Sequence, residues 1–222
     1  MGEMVGNIAH QWRQPLNALA MKTQFIEDDF EDGLIDEGYV KEFSTENMKL
    51  ISFMSKTIDD FRDFFRSDKI KEDFKIHECI DKPLNILRPI LKELNITLTV
   101  SGDDFVLNGL QSELQQVILN IVNNARDALI ENKINEGLIE VMSEIRDDTG
   151  IVIIKDNAGG IPDDIIDRVF EPYYTTKEQG KGTGIGLYMS KMIIEEHMNG
   201  KLSVKNVDNG ARFEVKIDIV KE

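Results

Sequence analysis

The stretch Ile8-Ala9-His10-Gln11-Trp12-Arg13-Gln14-Pro15-Leu16 decides how the rest of the chain is interpreted. Apolar residues around it recur at spacings of three and four, which is typical of a helix whose apolar seam packs against partner helices. These residues are Val5, Ile8, Trp12, Pro15, Leu19 and Ile26. His10 falls at the heptad position farthest from the seam, so the sequence predicts an exposed imidazole on the first helix.

Pro15 lies inside this predicted helix, just over one turn after His10. A proline removes the hydrogen bond to the carbonyl four residues back, that of Gln11, and bends the helix. A lone exposed histidine is ordinarily only a solvated side chain, and that interpretation stays open. A kink this close to the imidazole favours a histidine with a function.

Composition bounds the class of protein. The chain has 222 residues, of which 41% are hydrophobic and 30% charged, which suits a packed core in one or two domains. The net charge of −15 argues against nucleic acid or an anionic membrane as the main partner. The single cysteine, Cys79, fits a reducing cytoplasm. We therefore expect a cytoplasmic segment that does not contact a membrane. Because it opens almost inside a helix, we also expect it to follow another segment, as the cytoplasmic part of a longer, membrane-anchored protein does.

Two patterns divide the chain. Residues 1–66 predict two long helices, the first to about residue 31 and the second from Tyr39, with a turn over residues 28–38. Such a hairpin leaves its apolar stripe half uncovered, so we expect it to dimerise into a four-helix bundle. The alternative is that the second domain covers the stripe. Residues 67–74 predict a charged linker, and residues 75–222 predict a mixed α/β domain.

Within the α/β domain, alternation and periodicity predict strands and helices in mixed order. The predicted strands are residues 74–76, 96–100, 139–145, 150–155, 202–206 and 211–219, and the predicted helices are residues 77–95, 114–132 and 186–199. Pro89 is expected to bend or break the first helix, and Gly200 to cap the last in a left-handed conformation.

Three groups of residues in this domain suggest binding chemistry. Asn120 and Asn124 share one helix face, and their amide oxygens suit a hydrated Mg²⁺ shared with phosphates. Asp156 ends a strand directly before the pair Gly159-Gly160, where a carboxylate can accept a hydrogen bond from an exocyclic amine and glycines let a flat ring approach. Each group alone is also compatible with ordinary surface polarity or a tight turn.

The third group is the glycine-rich run Gly180-Lys181-Gly182-Thr183-Gly184-Ile185-Gly186-Leu187, which opens the last predicted helix. Its backbone amides can face an anion, and Lys177 and Lys181 can meet phosphate oxygens. The run lacks the spacing of a Walker loop.

The order of the motifs carries more information than any one of them. Asn-x-x-x-Asn-Ala, Asp-x-x-Gly-Gly-Ile, Phe-Glu-Pro-Tyr-Tyr and Gly-Thr-Gly-Ile-Gly-Leu follow one another from Asn120 to Leu187. They resemble the N box, first glycine box, F box and second glycine box of the ATP-binding domain of sensor histidine kinases. The opening stretch resembles the phosphoacceptor box of that family, in a variant form. The resemblance covers essentially the whole chain.

This resemblance implies an α+β fold, in which a two-helix hairpin precedes an α/β sandwich of the GHKL type that binds ATP and Mg²⁺. It also implies a lid over the nucleotide between Pro162 and Gly182. The expected protein is a homodimeric, ATP-dependent protein histidine kinase. It would transfer the phosphoryl group to an aspartate in the receiver domain of a response regulator, and dephosphorylation of that regulator is a second expected activity.

The resemblance also implies roles for residues. His10 would receive the γ-phosphoryl group. For the two glutamines that follow it we add our own hypotheses, in which Gln11 fixes the tautomer of the imidazole and Gln14 orients water. Asp156 would bind adenine, and Asn120 and Asn124 would hold Mg²⁺ and phosphate. The other implied nucleotide-binding residues are Gly159, Gly160, Ile161, Arg168, Lys177, Lys181, Gly182, Thr183, Gly184, Gly186 and Leu187.

Three positions depart from the family pattern. Gln11 stands where Glu or Asp is usual, and Gln14 where Thr or Asn is common. Asp127 stands where a basic residue is frequent, with Arg126 beside it but expected to point elsewhere on the helix. Such a variant box is typical of a subclass of the family.

Two other functions compete with the kinase. Related ATP-hydrolysing machines carry a glutamate where this chain has Asn120, and an asparagine cannot deprotonate the attacking water. A non-catalytic dimeric scaffold is the other alternative, and the intact set of nucleotide motifs argues against it.

Overall fold

A computed structural model describes residues 2–64, 70–177 and 184–220, with the backbone alone for residues 2–11, 14, 53 and 56–64. The chain divides into two compact units, the first consisting of residues 1–66 and 175–183 and the second of residues 67–174 and 184–222. Within the part of the chain that is described, no helix is long and apolar enough to cross a membrane.

The first unit contains a helical hairpin made of α1 (Gly2–Gln24), α2 (Ile26–Glu31) and α3 (Glu37–Phe64). Helix α1 continues through Pro15, whose side chain is buried. The predicted turn was too long, because the acidic residues at its start form α2 and only residues 32–36 lie between helices. The Asp36 carboxylate accepts a hydrogen bond from the Tyr39 N–H at 2.7 Å and so caps the start of α3.

Two polar contacts join the helices of the hairpin in the half that lies near its turn. Lys22 of α1 forms an ion pair with Glu46 of α3, and the Tyr39 hydroxyl donates to Asp29 at 2.6 Å. Several large apolar side chains on the hairpin are nevertheless exposed. They are Leu16, Met21, Phe25, Phe30, Leu34, Val40, Met48 and Ile51.

The second unit is built on a mixed five-stranded sheet with strand order β2-β4-β5-β7-β6. The strands are β2 (Ile96–Gly102), β4 (Gly137–Arg146), β5 (Thr149–Asp156), β6 (Lys201–Val207) and β7 (Gly210–Asp218). Strands β2 and β4 run parallel, whereas β4-β5, β5-β7 and β6-β7 pair antiparallel. A separate antiparallel pair joins β1 (Glu72–Lys75) to β3 (Val106–Gly109).

Three helices cover one face of this sheet, namely α4 (Ile76–Glu93), α5 (Gln111–Glu131) and α6 (Gly186–Met192), the last continuing as a π-helical turn over Ile193–His197. Their apolar faces are fully buried at residues such as Leu84, Ile118, Ile121 and Ile194. The strands meet them with side chains such as Ile139 and Val141. Helices on one face of a mixed sheet form a two-layer sandwich.

The opposite face of the sheet carries long charged side chains. Arg212 forms an ion pair with Glu214 at 2.9 Å, and Lys155 donates to Asp208 at 2.8 Å. Ile153 is opposite Glu214 in the register and is only 3% exposed. The aliphatic parts of the charged residues thus shield the outer face of β5 from water.

The α+β class predicted from the sequence is confirmed, and the differences concern single elements. Strand β3 was missed because its four residues pair only with β1. Pro89 was expected to bend or break its helix, but α4 extends through Pro83 and Pro89 to Glu93. Gly200 was expected to be left-handed, but Asn199 takes that conformation, with φ of 52°. Gly200 instead permits a close approach, since a Cβ there would lie 2.3 Å from the Lys216 carbonyl oxygen.

Candidate functional site

Asp156 is the buried acid at the carboxyl end of β5, only 6% exposed. Its Oδ1 accepts hydrogen bonds from the backbone N–H of Ala158 at 2.9 Å and of Ala211 at 3.2 Å. Among the residues that are described, no donor meets the other oxygen, Oδ2. Burial raises the pKa of Asp156, and the two backbone donors oppose that rise. The carboxyl group is thus held rigidly with one acceptor left over.

The loop that follows β5 makes room beside this carboxyl group. Gly159 has φ of +99°, and the nearest atom to a Cβ built there is the Asn132 amide nitrogen at 3.8 Å. Packing therefore does not demand a glycine at this position, whereas the backbone conformation does. Gly160, with φ of +82°, is packed more tightly, because its Cβ would lie 2.9 Å from Asn206 Oδ1.

Three asparagines outside the predicted site hold this loop in place. Asn206 of β6 clamps Ile161, accepting from its N–H at 2.8 Å and donating to its carbonyl at 2.7 Å. Asn132, directly after α5, donates to the Ala158 carbonyl at 2.7 Å. Asn157 bonds the backbone of Leu138 and of Glu136. These contacts were hard to predict, because an amide in a turn usually bonds its own neighbours.

Asn120 lies on α5 and touches the start of α6. Its Nδ2 donates to Ser190 Oγ at 2.8 Å, and a Cβ on Gly186 would lie 2.5 Å from its Oδ1. Asn124 is half-buried one turn further along α5. Two amide oxygens and no charge fit a hydrated Mg²⁺ whose remaining ligands are phosphates and water. Within the described part of the chain, no cluster of histidine, cysteine or acidic residues could hold a metal ion.

Arg126 was expected to point away from the family's basic position, and its bonds are consistent with that. Its guanidinium donates to Asp127 at 2.6 Å and to Asn123 at 2.8 Å. Asp127, which departs from the family pattern, is thus bonded to its own neighbour. The guanidinium of Arg126 thus bonds Asp127 and Asn123, and not Asn120 or Asn124.

Three further predicted residues, Arg168, Gly184 and Leu187, lie after the loop that follows β5. Arg168, half exposed, donates to Glu171 at 3.1 Å and lies over the Tyr174 ring at 4.4 Å from its centroid. Gly184 has φ of +62°, and its carbonyl accepts from the Tyr173 N–H at 2.8 Å. Leu187 lies half-buried in the first turn of α6.

The structure thus gathers some predicted residues and not others. Asp156, Gly159, Gly160 and Ile161 form one loop, and Asn120 meets Gly186. Arg168 bonds Glu171 and Tyr174 instead of a residue of that group. Lys177 is described in the first unit, so its place relative to the group is not assigned. Lys181, Gly182 and Thr183, and the side chains of His10, Gln11 and Gln14, lie outside what is described.

Comparison with known proteins shows what this arrangement is similar to. Residues 109–221 match the family described as histidine kinase-, DNA gyrase B-, and HSP90-like ATPase. The two-component sensor PprA of Pseudomonas aeruginosa is 28% identical, over 99% of this chain and 24% of that protein. Sporulation kinase A of Bacillus subtilis is 26% identical, over 96% of this chain and 34% of that protein. The chain therefore spans only about a quarter to a third of these relatives.

Solved structures of a histidine kinase are also similar to this chain. The catalytic domain of histidine kinase ThkA superposes with a TM-score of 0.60 at 28% identity, covering 67% of this chain and 95% of that domain. A structure of ThkA in complex with the response regulator protein TrrA has a TM-score of 0.71 at 23% identity, over 99% of this chain and 62% of that one. The second likeness concerns the fold alone. The family match covers just over half of the chain, so the chain belongs to the histidine kinase-, DNA gyrase B- and HSP90-like ATPase family, in which its relatives are sensor histidine kinases.

Proposed function

We propose that this chain autophosphorylates His10 with ATP and passes the phosphoryl group to an aspartate of a response regulator. The observation that carries the nucleotide part is the buried carboxyl group of Asp156, with Oδ1 bonded to two backbone N–H groups and Oδ2 without a donor among the described residues. The side chain is buried as a whole, but Oδ2 is not among the enclosed atoms, so a donor from a ligand can reach it. The exocyclic amine of adenine supplies such a donor.

The loop after β5 accommodates the base. Gly159 leaves open space where a side chain would stand, and Asn132 and Asn206 fix the backbone on either side of it. A flat ring can therefore lie against the backbone with its amine directed at Asp156 Oδ2. Because this loop is held by the side chain that directly follows α5 and by one from β6, it needs little rearrangement on binding.

The phosphates are assigned to the side of the site formed by Asn120 and Asn124. When bound there, Mg²⁺ would neutralise part of the phosphate charge and orient the γ-phosphoryl group. Asn120 cannot act as a base toward water, which favours transfer to a side chain over hydrolysis. Arg168, Lys177 and Lys181 are proposed to supply further positive charge around the phosphates.

The acceptor is proposed to be the imidazole of His10 on α1. One ring nitrogen uses its lone pair to form the bond to phosphorus while the bond to the leaving ADP oxygen breaks. The other nitrogen carries a proton that becomes acidic as the new bond forms. The Gln11 amide oxygen can accept a hydrogen bond from that N–H and fix the tautomer, but it is too weak a base to take the proton. The proton must pass to water or to another acidic side chain.

Gln14 is proposed to orient water when the phosphorylated regulator is dephosphorylated. It lies four residues after His10 and therefore on the same side of the helix. A neutral amide can position water without acting as a base. Gln14→Ala should therefore slow dephosphorylation of the regulator more than labelling of His10, and equal effects on both rates would argue for a structural role.

The proposed partners are a second copy of the chain and the receiver domain of a response regulator, in the cytoplasm. The exposed apolar side chains of the hairpin, among them Met21, Phe25, Met48 and Ile51, support dimerisation through a four-helix bundle. The solved complex of ThkA with TrrA supports a regulator as the second partner of this chain.

The substitution Asp156→Asn tests the contact proposed for adenine. The amide can keep both backbone bonds through its oxygen, but it places an N–H₂ group where adenine needs an acceptor. We expect ADP affinity to fall more than tenfold, since a charge-assisted hydrogen bond contributes roughly 1.5–3 kcal/mol. Isothermal titration calorimetry measures this loss. Asp218→Asn, which changes an exposed carboxylate in the same unit, serves as the control.

The stability of Asp156→Asn separates binding from folding. Because burial raises the folded pKa of Asp156, its ionised form costs stability at neutral pH, and that cost disappears as the pH falls through the folded pKa. The variant should therefore unfold at the same or a higher urea concentration than the wild type at pH 7. A large loss of stability, or unchanged ADP affinity, would count against the assignment.

The substitution His10→Ala tests the proposed acceptor. Label from γ-labelled ATP should no longer enter the protein, while calorimetry shows ADP binding unchanged. His77→Ala is the matched control, because it removes another imidazole and should leave labelling intact. Label that persists on His10→Ala, or that survives acid treatment, would show that another residue is the acceptor.

Two substitutions of Gln11 test proton removal. Gln11→Glu supplies a base, which typically accelerates proton transfer by roughly 10²–10⁴, so His10 labelling should become faster at saturating ATP. Gln11→Ala should slow labelling through loss of tautomer control. Single-turnover labelling at matched nucleotide occupancy measures both rates. If Gln11→Glu is no faster than the wild type, proton removal does not limit the reaction.

The proposed assembly is tested by the mass of the protein in solution. Light scattering at micromolar concentration should give twice the mass of one chain. Replacing Met21 and Met48 together by Glu should dissociate the dimer, because charges buried in an apolar interface cost several kcal/mol each. Replacing the exposed Lys41 and Lys49 by Glu adds the same two acidic groups as a control and should leave the dimer intact. A monomeric wild type would refute the bundle.

A further inference from the structure

Ser190 is a buried hydroxyl that no nucleotide motif includes. It lies on α6, is only 1% exposed, and donates to the Gly186 carbonyl one turn earlier at 3.0 Å. The same oxygen accepts a hydrogen bond from Nδ2 of Asn120 at 2.8 Å. Ser190 thus connects the helix that carries the second glycine box to the asparagine of the N box.

These two bonds determine the direction of the Asn120 amide. A serine hydroxyl has one proton, and that of Ser190 is given to the Gly186 carbonyl, so it offers Asn120 only lone pairs. The amide must therefore turn its N–H₂ group toward Ser190. A flipped amide would bring its oxygen against the lone pairs of the hydroxyl, or would take the proton away from Gly186.

Gly186 adds a steric limit on the same side chain. A Cβ at Gly186 would lie 2.5 Å from Oδ1 and 2.8 Å from Nδ2 of Asn120, so the amide packs directly on the helix backbone. Gly186 and Ser190 are four residues apart and share one face of α6. Among the described residues, no hydrogen-bond donor meets Asn120 Oδ1, which is left as an acceptor.

We infer that Ser190 is a positioning residue, which fixes the Asn120 amide so that its oxygen, and not its nitrogen, is offered to a divalent cation shared with the nucleotide phosphates. This inference rests on the proposed function, since it assigns Asn120 to the cation. A residue of α6 would then determine how the site binds the cation, independently of the contact between Asp156 and the base.

The test compares ADP affinity with Mg²⁺ and with EDTA by calorimetry. The ratio of the two dissociation constants measures the contribution of the cation, whereas ADP binding in EDTA reports mainly on the base. Ser190→Ala removes the acceptor that holds Nδ2, so the two amide directions become nearly equivalent. We expect the ratio to fall about twofold, because the amide direction that offers the oxygen then holds only about half of the population, with affinity in EDTA unchanged.

Ser143→Ala is the matched control. Ser143 is also buried, at 2% exposure, and its hydroxyl also donates to a backbone carbonyl, that of Asp103, at 2.7 Å. Its removal deletes the same atom from the same unit but does not touch Asn120. The Mg²⁺-to-EDTA ratio of this variant should equal that of the wild type, so a general effect of losing a buried hydroxyl is separated from an effect on the amide.

A double-mutant cycle distinguishes an effect on the direction of the amide from a structural effect of Ser190. In Asn120→Asp both side-chain oxygens are acceptors, so direction no longer matters and adding Ser190→Ala should leave the ratio unchanged. If Ser190→Ala does not fold, Ser190→Cys fills nearly the same volume with a weaker acceptor and should lower the ratio in the same direction.

The outcomes are distinguishable. A wild type that binds ADP without any Mg²⁺ dependence overturns both the cation site and this inference. If the wild type depends on Mg²⁺ and Ser190→Ala or Ser190→Cys keeps the same ratio, only the role of Ser190 is overturned. A loss of ratio that persists in the Asn120→Asp background also overturns it, because Ser190 would then act through packing.

Discussion

The two hydrogen bonds that Asp156 Oδ1 accepts from Ala158 and Ala211 fix the geometry on which the binding loop depends. They join the end of β5 to the loop that follows it and to the first residues of β7. Gly210 completes this junction, because a Cβ there would lie 1.6 Å from the Asp156 carbonyl oxygen. The carboxyl group is thus both a structural acceptor and, through its other oxygen, the acceptor proposed for a ligand. One side chain can serve both purposes because the two backbone bonds occupy only one of its two oxygens.

The nucleotide half of the chain was largely predictable from its sequence, for physical reasons. Asp156 follows a run of buried residues and precedes two glycines, so a strand end and a tight backbone were both required. Asn120 and Asn124 are one turn apart on a helix whose buried face is clear from Val117, Ile118 and Ile121. Local spacing of this kind determines which residues share a face. The prediction that these motifs form one nucleotide site came from their order, which resembles that of the family, and not from geometry.

The residues that support the site could not be predicted in the same way. Ser190 and Asn206 meet their partners across 70 and 45 residues of sequence, and nothing in their neighbours marks those contacts. His197 likewise meets a residue far away in sequence, since its Nδ1 lies 2.8 Å from the buried Glu113 of α5. The π-helical turn that contains it also has no local signal. Such contacts follow from tertiary packing, which a periodic pattern does not encode.

The bond from the Tyr173 N–H to the Gly184 carbonyl affects how many residues the chain can carry between these two positions. It holds the two ends of the intervening segment together, with Tyr173 in a left-handed conformation at φ of 68° and a Cβ on Gly184 lying 2.4 Å from the Tyr173 carbonyl carbon. Once the ends are pinned, adding residues between them costs only loop-closure entropy, about 0.6 kcal/mol for each doubling of length. A change in the number of residues between Tyr173 and Gly184 should therefore have little effect on the stability of the sheet and helices that flank them.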